Sequence, residues 1–221
     1  MLPFTPEQFM QLFADYNRAV WPAQAGAYVL GLGIVIAPLR SSGRREPFVG
    51  FGLALMWAWT GIAYHLMYFS AINRAALIFG ALFVVEAGLL LYATLRGDGL
   101  RFERTSGTSK GLGWLFVFYA MLVYPLVGWW SGHPYPGMPM FGVTPCPVTL
   151  FTIGVILLAT TAPWWLLVVP FAWSLIGSSA AFILAMPQDW PLLLSGVAIL
   201  LILRRQRGSA HPKRGTSPRP R

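Results

Sequence analysis

The chain alternates between long apolar runs and short polar connections. Seven runs stand out, and each is predicted to form a membrane-spanning helix: 20–39, 48–69, 75–95, 112–130, 148–161, 163–185 and 190–203. A helix needs about 20 apolar residues to cross the hydrocarbon core of a bilayer. The fifth and seventh runs are shorter than this unless the residues before them extend the helix. The pattern therefore predicts an all-α, polytopic transmembrane bundle of about seven spans.

The first 18 residues follow a different pattern. A helix is predicted to begin after Thr5, a residue type that caps helix N-termini, with Pro6 in its first turn. Its apolar side chains recur three and four positions apart, as on one face of a helix: Phe9, Leu12, Phe13, Tyr16 and Val20. We expect an N-terminal amphipathic interfacial helix that lies along the membrane surface. A helix packed on the bundle is the alternative.

Composition and charge narrow the class of protein to which this chain can belong. Hydrophobic residues make up 56% of the chain and charged residues 10%, whereas soluble domains carry about 25% charged residues. A water-soluble globule is thereby excluded. Of the 16 Lys and Arg residues, fourteen fall in loops 40–47 and 96–110 and in the tail 204–221. Basic loops stay in the cytoplasm, so the distribution predicts N-terminus out and C-terminus in, which needs an odd number of spans and favours seven over six. Topology explains the basic excess, and nucleic acid is not an expected partner.

The domain organisation follows from the same pattern. Residues 1–203 are predicted to form a single transmembrane helical domain. Residues 204–221 are basic and rich in Pro, Ser and Gly, which is typical of a disordered tail. We expect this cytoplasmic tail to contact anionic lipid, besides the lipid bilayer that surrounds the helices. The single cysteine excludes an internal disulfide, and no internal repeat indicates an inverted-repeat transporter. The oligomeric state is left open.

Two residues within the apolar runs can carry chemistry. Glu86 lies near the middle of the third run, where an ionised carboxylate is unfavourable by several kcal/mol. It is predicted to bind a proton or cation, and the alternative is a neutral carboxyl hydrogen-bonded to a neighbouring helix. His65 lies near the outer end of the second run, close to Tyr64 and Asn73, where a histidine can bind a ligand, relay a proton or hydrogen-bond a neighbouring helix. These four residues form the predicted substrate-binding set.

The loop 131–147 offers a second kind of site. Residues 133–147 contain five prolines and two glycines, which is predicted to preclude a regular helix. Irregular backbone at membrane depth is tolerated only where it is buried in protein or lines a cavity, and whether this loop re-enters the membrane is open. Thiolate and thioether ligands suit soft metals such as Cu(I). The metal ligands predicted on this basis are Cys146, His133, Met138 and Met140, and the alternative is a structural plug with Cys146 as a small buried hydrophobe.

Several short stretches resemble a bacterial membrane family catalogued as domain of unknown function 6064. The resemblance covers nearly the whole chain apart from the tail, and it is carried by residues 2–9, 16–17, 21–22, 61–65, 72–73, 141–147 and 149. It implies a multi-pass protein of the bacterial inner (plasma) membrane. It brings no activity, and therefore no catalytic residue.

The expected function is binding or transport of a small solute or cation, including a soft metal ion. The site would combine the outer-side Pro-Cys-Pro loop with Glu86 in the membrane. The alternatives are a membrane-embedded enzyme or redox protein that uses Cys146 or His65, and a non-catalytic scaffold subunit. No P-loop, His-Glu-x-x-His or Gly-x-Ser-x-Gly motif occurs, and the sequence assigns no cofactor. A cavity open to both faces would favour transport, whereas a blind outer pocket would favour an enzyme or sensor.

Overall fold

The computed structural model describes residues 3–40, 46–97, 99–102 and 108–209, with no side chains for 108–109 and 201–209. These residues are mostly helical. The helices are α1 Pro6–Ala19, α2 Ala23–Arg40, α3 Pro47–Trp59, α4 Ala76–Arg96, α5 Thr108–Phe118, α6 Tyr124–Trp130, α7 Pro145–Leu158, α8 Val168–Ile183 and α9 Trp190–Ser209. A first π-helical segment, Thr60–Tyr68, continues α3, and a second, Tyr119–Val123, joins α5 to α6. Short 3-10 turns at Phe69–Ala71, Trp164–Leu167 and Pro187–Asp189 complete the helical elements.

Among the described residues, five helical stretches are long and apolar enough to cross a membrane: Ala23–Arg40, Pro47–Ala71, Ala76–Arg96, Lys110–Trp130 and Trp164–Ile183. The predicted all-helical class, with several apolar helices long enough to span a membrane, is thus confirmed. A helix also lies at each of the two remaining predicted runs, as α7 and α9. A total of seven crossings and the predicted orientation stay predictions.

Helix α9 extends further towards the C-terminus than the sequence predicts. The helix continues to Ser209, past residue 203, where the sequence places the start of the tail. Residues 210–221 lie outside the described residues. So do three of the loop cations that enter the charge argument, Arg44, Arg45 and Arg104.

Helix α7 forms the centre of the bundle. All of its residues except the last are buried, because α5, α8, α9 and α3 surround it. The helix starts at Pro145, so the prediction that the proline-rich stretch excludes regular helix was wrong for residues 145–147. Pro145 and Pro147 fall in the first turn, where a helix has no internal use for the backbone N–H.

Glycines let neighbouring helices approach closely at two crossings. A Cβ atom on Gly154 of α7 would lie 2.9 Å from the carbonyl oxygen of Gly113 on α5. A Cβ atom on Gly61 of the first π segment would lie 3.0 Å from the carbonyl oxygen of Gly80 on α4. Small residues of this kind bring helix backbones together in membrane proteins.

The bundle has two distinct ends. At one, which we call the bridge end, the Arg101 N–H donates to the Thr161 carbonyl at 3.2 Å and the Thr160 N–H donates to the Arg101 carbonyl at 2.7 Å. This pairing joins two connections that the sequence places on the same side of the membrane. At the other, which we call the pocket end, lie α1, the connection 131–144 and the turn Pro187–Asp189.

Candidate binding pocket

A partly enclosed cavity of about 160 Å³ lies at the pocket end. It is bounded by α1, the first π segment and the adjoining ends of α4, α7 and α8. Its size is close to that of an apolar cavity of about 150 Å³ that takes up benzene, so it suits an occupant the size of one ring. Aromatic side chains form much of the wall: Phe4, Phe9, Phe13, Tyr64, Phe69, Phe79 and Trp173. The polar or titratable lining includes His65, Asn73, Cys146 and Asp189.

His65 is the most unusual side chain on this wall. It is fully buried, and neither ring nitrogen has a hydrogen-bond partner among the described residues. Aromatic rings surround it, with ring centroids at 4.8 Å for Phe83 and 5.1 Å for both Tyr64 and Trp173. The buried indole nitrogen of Trp173 likewise makes no hydrogen bond of ordinary length within the described part of the chain, and it has a polar interaction with the thiol of Cys146. Each such buried and unpaired polar group costs about 1–3 kcal/mol of stability.

The first π segment aims Tyr64 and His65 into the cavity. Residues five positions apart point about 140° away from each other on an α-helix. The wider π-helical turn brings such residues back to the same face. Tyr64 and Phe69, five apart, accordingly stack at a centroid distance of 5.7 Å. π-Helical turns occur frequently at functional sites.

A polar cluster surrounds Asp189, which lines the cavity just before α9 begins. The Tyr124 hydroxyl donates to a carboxyl oxygen of Asp189 at 2.6 Å, and the Tyr119 hydroxyl donates to the Gln188 carbonyl at 3.1 Å. Tyr119 and Tyr124 are also five residues apart: Tyr119 is the first residue of the second π segment, and Tyr124 directly follows that segment. Burial raises the pKa of Asp189 to about 7, while its hydrogen bonds with Tyr124 and Cys146 act in the opposite direction.

Helix α1 covers the cavity and is fixed by buried hydrogen bonds. The Tyr16 hydroxyl donates to the Val143 carbonyl, and the Asn17 amide donates to the carbonyls of Pro136 and Met138, all at 2.7 Å. Thr5 caps the helix as predicted from the sequence. The apolar face of α1 packs on the bundle, which is the alternative that the sequence left open. Its depth relative to a membrane stays a prediction.

The structure brings three of the four predicted substrate-binding residues to one cavity. Tyr64, His65 and Asn73 line it, and the Asn73 side chain also accepts a hydrogen bond from the Ala75 N–H at the start of α4. Glu86 is fully buried on α4, and neither carboxyl oxygen has a partner among the described residues. It is not part of the cavity wall, and it lies one helical turn beyond Phe83 towards the bridge end.

The predicted metal ligands are placed differently. Cys146 lines the cavity, whereas His133, Met138 and Met140 do not. The backbone carbonyl of Met138 accepts the hydrogen bond from Asn17. Within the described ranges, no group of three or more His, Cys, Asp or Glu side chains is placed to hold a metal ion. The soft-metal site stays a prediction.

Sequence reasoning missed two residues of the pocket, Trp173 and Asp189. Trp173 lies in the middle of its apolar run, away from the ends where interfacial tryptophans are found. Asp189 is the only acidic residue after Glu103, in a short break between two apolar runs. Both positions are unusual enough in the sequence to mark the two residues as candidates. Neither position shows that the two side chains face the same cavity.

The fold and the pocket together define a class: an all-helical protein with five helices able to cross a membrane and a ring-sized pocket at one end of the bundle. The chain belongs to the family of unknown function DUF6064, whose sequence profile matches residues 6–213. The resemblance drawn from short sequence stretches is thereby confirmed. No curated protein and no solved structure matches the chain. Function therefore has to be argued from the pocket itself.

Proposed function

We propose that this membrane protein binds a small, mostly apolar molecule of about one ring in the pocket, through a hydrogen bond to His65. The observation that carries the proposal is a fully buried histidine on the cavity wall with both ring nitrogens unpartnered among the described residues. Ligand pockets typically combine apolar walls with a few well-placed polar groups. The aromatic wall and His65 supply this combination.

The expected affinity gain can be stated. A ligand that hydrogen-bonds His65 relieves a penalty of about 1–3 kcal/mol, which corresponds to about one to two orders of magnitude in Kd. An apolar ligand of the same shape gains only from contact with the aromatic walls. A matched ligand pair therefore separates the two contributions.

Phenol and toluene form such a pair, because they share a ring and differ in the hydroxyl group. Binding to the purified protein in nanodiscs would be measured by calorimetry for the wild type, His65→Phe and the control His133→Phe, which makes the same change away from the cavity. We expect phenol to bind at least tenfold more tightly than toluene to the wild type and to the control. In His65→Phe the preference is lost. Equal binding of the pair to the wild type, or a preference that survives in His65→Phe, contradicts the proposal.

Transport of a small cation is the second candidate, and Glu86 is the observation that favours it. Its carboxyl group is buried without a partner among the described residues, and such groups within membrane helices commonly mark ion pathways. Jumps of H⁺, Na⁺ or K⁺ concentration on solid-supported proteoliposomes should then evoke currents that are lost in Glu86→Gln. The lipid-facing change Val85→Met is the control. Wild-type currents no larger than those of protein-free liposomes would dismiss this candidate.

A soft-metal site at Cys146 is a separate proposal. We would titrate Cu(I) into the wild type and Cys146→Ser and count bound metal per chain. One metal ion per chain, lost in the variant, supports the site that includes His133, Met138 and Met140. Absence of binding, or binding that is indifferent to Cys146, contradicts it.

For location, we propose the bacterial inner membrane, with the pocket end outside and the basic tail on anionic lipid in the cytoplasm. The positive-inside distribution of Lys and Arg supports this orientation.

A further inference from the structure

We infer that the occupant of the pocket reaches it sideways from the bilayer, between α4 and α8, and carries an apolar tail on a ring-sized head that accepts hydrogen bonds. This is the chemistry of a lipid quinone. The inference rests on the proposed binding function and adds the class of ligand and its source.

The wall that α8 contributes reaches the outer surface of the bundle. Ile176, Ser179 and Ile183 are spaced three and four residues apart, so they share one face of the helix, and all three line the cavity. Ser179 and Ile183 are nevertheless exposed, Ile183 by 57%. Residues that both line a cavity and face outwards mark the place where the cavity opens.

Helix α4 forms the other side of this opening. Asn73 and Phe79, before and within its first turns, line the cavity and are only partly buried. Further towards the bridge end the groove between α4 and α8 is closed, because the ring of Trp173 contacts the rings of Phe79 and Phe83 at centroid distances of 5.3 and 4.9 Å. The opening is therefore a window near the pocket end, and Phe4, which precedes α1, lines the cavity.

The surface around the window is apolar. Ile78 on α4 is 65% exposed, and Leu175 and Phe182 on α8 are 51% and 61% exposed. All three lie within stretches that are apolar and long enough to span a membrane, so their natural surroundings are acyl chains. Arg74, one turn before Ile78, is also exposed and suits the headgroup level. The window thus opens at the boundary between headgroups and acyl chains.

The size of the cavity indicates where the two parts of the ligand lie. About 160 Å³ accommodates a ring, but not a long apolar chain in addition. A tail attached to the ring can leave through the window and remain in the bilayer. Such a ligand never has to pass through water.

The hydrogen-bonding groups on the cavity wall determine which kind of ligand headgroup the pocket can bind. The indole of Trp173 is a hydrogen-bond donor only, and neutral His65 has one donor and one acceptor nitrogen. The described part of the cavity wall contains no Lys or Arg, so a carboxylate or phosphate head would lack a counter-charge. An uncharged planar ring with carbonyl acceptors satisfies the two donors and stacks on the aromatic wall.

The test compares two quinones whose rings are fully substituted, so that neither adds to the Cys146 thiol. Duroquinone has no tail, and decylubiquinone has a ten-carbon tail. Binding to the protein in nanodiscs would be followed by quenching of tryptophan fluorescence, with empty nanodiscs subtracted and concentrations expressed as mole fraction in the bilayer. The variants are Ser179→Phe, which fills the window, His65→Phe, and the control Val168→Phe, an exposed position at the far end of the same helix that does not line the cavity.

We expect both quinones to bind the wild type and His65→Phe to weaken both. Ser179→Phe should weaken decylubiquinone at least tenfold and duroquinone less than twofold, and Val168→Phe should change neither. If Ser179→Phe weakens the binding of both quinones equally, or weakens neither, the proposed window is contradicted. If phenol and duroquinone bind through His65 while decylubiquinone does not bind, this inference fails and the proposed function stands. If neither phenol nor duroquinone binds, the proposed function fails as well.

Discussion

Three buried polar side chains differ in whether the fold gives them a partner. Asp189 accepts a hydrogen bond from Tyr124, whereas His65 and Glu86 have none among the described residues. Burial without a partner is unfavourable, so a position that keeps such a group is a candidate for binding something else. His65 meets this criterion on a cavity wall, and Glu86 meets it in the interior of the bundle.

At the residue scale, Asp189 should make stability depend on pH. The carboxyl has a reference pKa of 3.8, and burial raises its pKa to about 7 in the folded protein. Between these values the folded protein holds a proton that the unfolded chain has released, so the free energy of unfolding falls as the pH rises from about 4 to about 7 and levels off above. Thermal unfolding in detergent across this range should show the decline in the wild type and a smaller one in Asp189→Asn. Parallel curves for the two proteins would contradict the prediction.

At the scale of elements, two π-helical segments and a few glycines shape the pocket. The first π segment turns Tyr64 and His65 inwards. The second begins at Tyr119 and ends just before Tyr124, the two tyrosines that hold the turn Pro187–Asp189. The glycine crossings set how closely α5 approaches α7 and α4 approaches the first π segment. The pocket therefore depends on local helix geometry as much as on the residues that line it.

The crossing of α5 and α7 gives a prediction for a single methyl group. In Gly154→Ala the new Cβ would lie 2.9 Å from three atoms of α5, including the Gly113 carbonyl oxygen and the Val117 backbone nitrogen. Backbone cannot give way as a side chain can, so we expect a loss of about 1–3 kcal/mol and an apparent Tm several degrees lower. Gly88→Ala is the control, because a Cβ there would lie more than 4 Å from every side chain and neighbouring helix among the described residues, and alanine favours the helix. A Tm for Gly154→Ala equal to that of Gly88→Ala would argue against a close crossing.

At the scale of the whole molecule, the two ends of the bundle differ in structure and in charge. The pocket end combines α1, the proline-rich connection and a buried acid. The bridge end joins two connections by backbone pairing, and fourteen of the 16 basic residues belong to the loops and tail assigned to its side. The charge pattern thus predicts that the pocket opens near the outer leaflet.

Cysteine labelling of intact cells tests this orientation. In a Cys146→Ser background, a membrane-impermeant maleimide should react with Ala71→Cys and Gly137→Cys and should leave Gly43→Cys and Ser106→Cys unlabelled until the cells are permeabilised. The physical reason is the strong bias of Lys and Arg towards the loops that contain positions 43 and 106. Labelling of these two positions in intact cells would reverse the topology and place the pocket at the inner leaflet.

The sequence by itself determined the class, the helices and most of the polar candidates. A lipid-exposed helix must be apolar along its length and must satisfy its own backbone, so composition alone locates it. The same logic singled out Glu86 and His65, because an ionisable residue within an apolar run is conspicuous, whereas Cys146 was singled out by the proline-rich loop that contains it. Thr5 and Pro6 determined the start of α1 through local capping chemistry.

The tertiary structure alone decided which of these residues meet. A π-helical turn adds one residue to a helix and leaves no trace in composition, yet it determines the direction of Tyr64 and His65. The burial of α7 follows from the helices that enclose it. A helix of only 14 residues is therefore long enough for the centre of the bundle. Phe13, Trp173 and Asp189 come from three distant parts of the chain. Their convergence on one cavity depends on helix packing, which the order of hydrophobic and polar residues along a single chain does not encode.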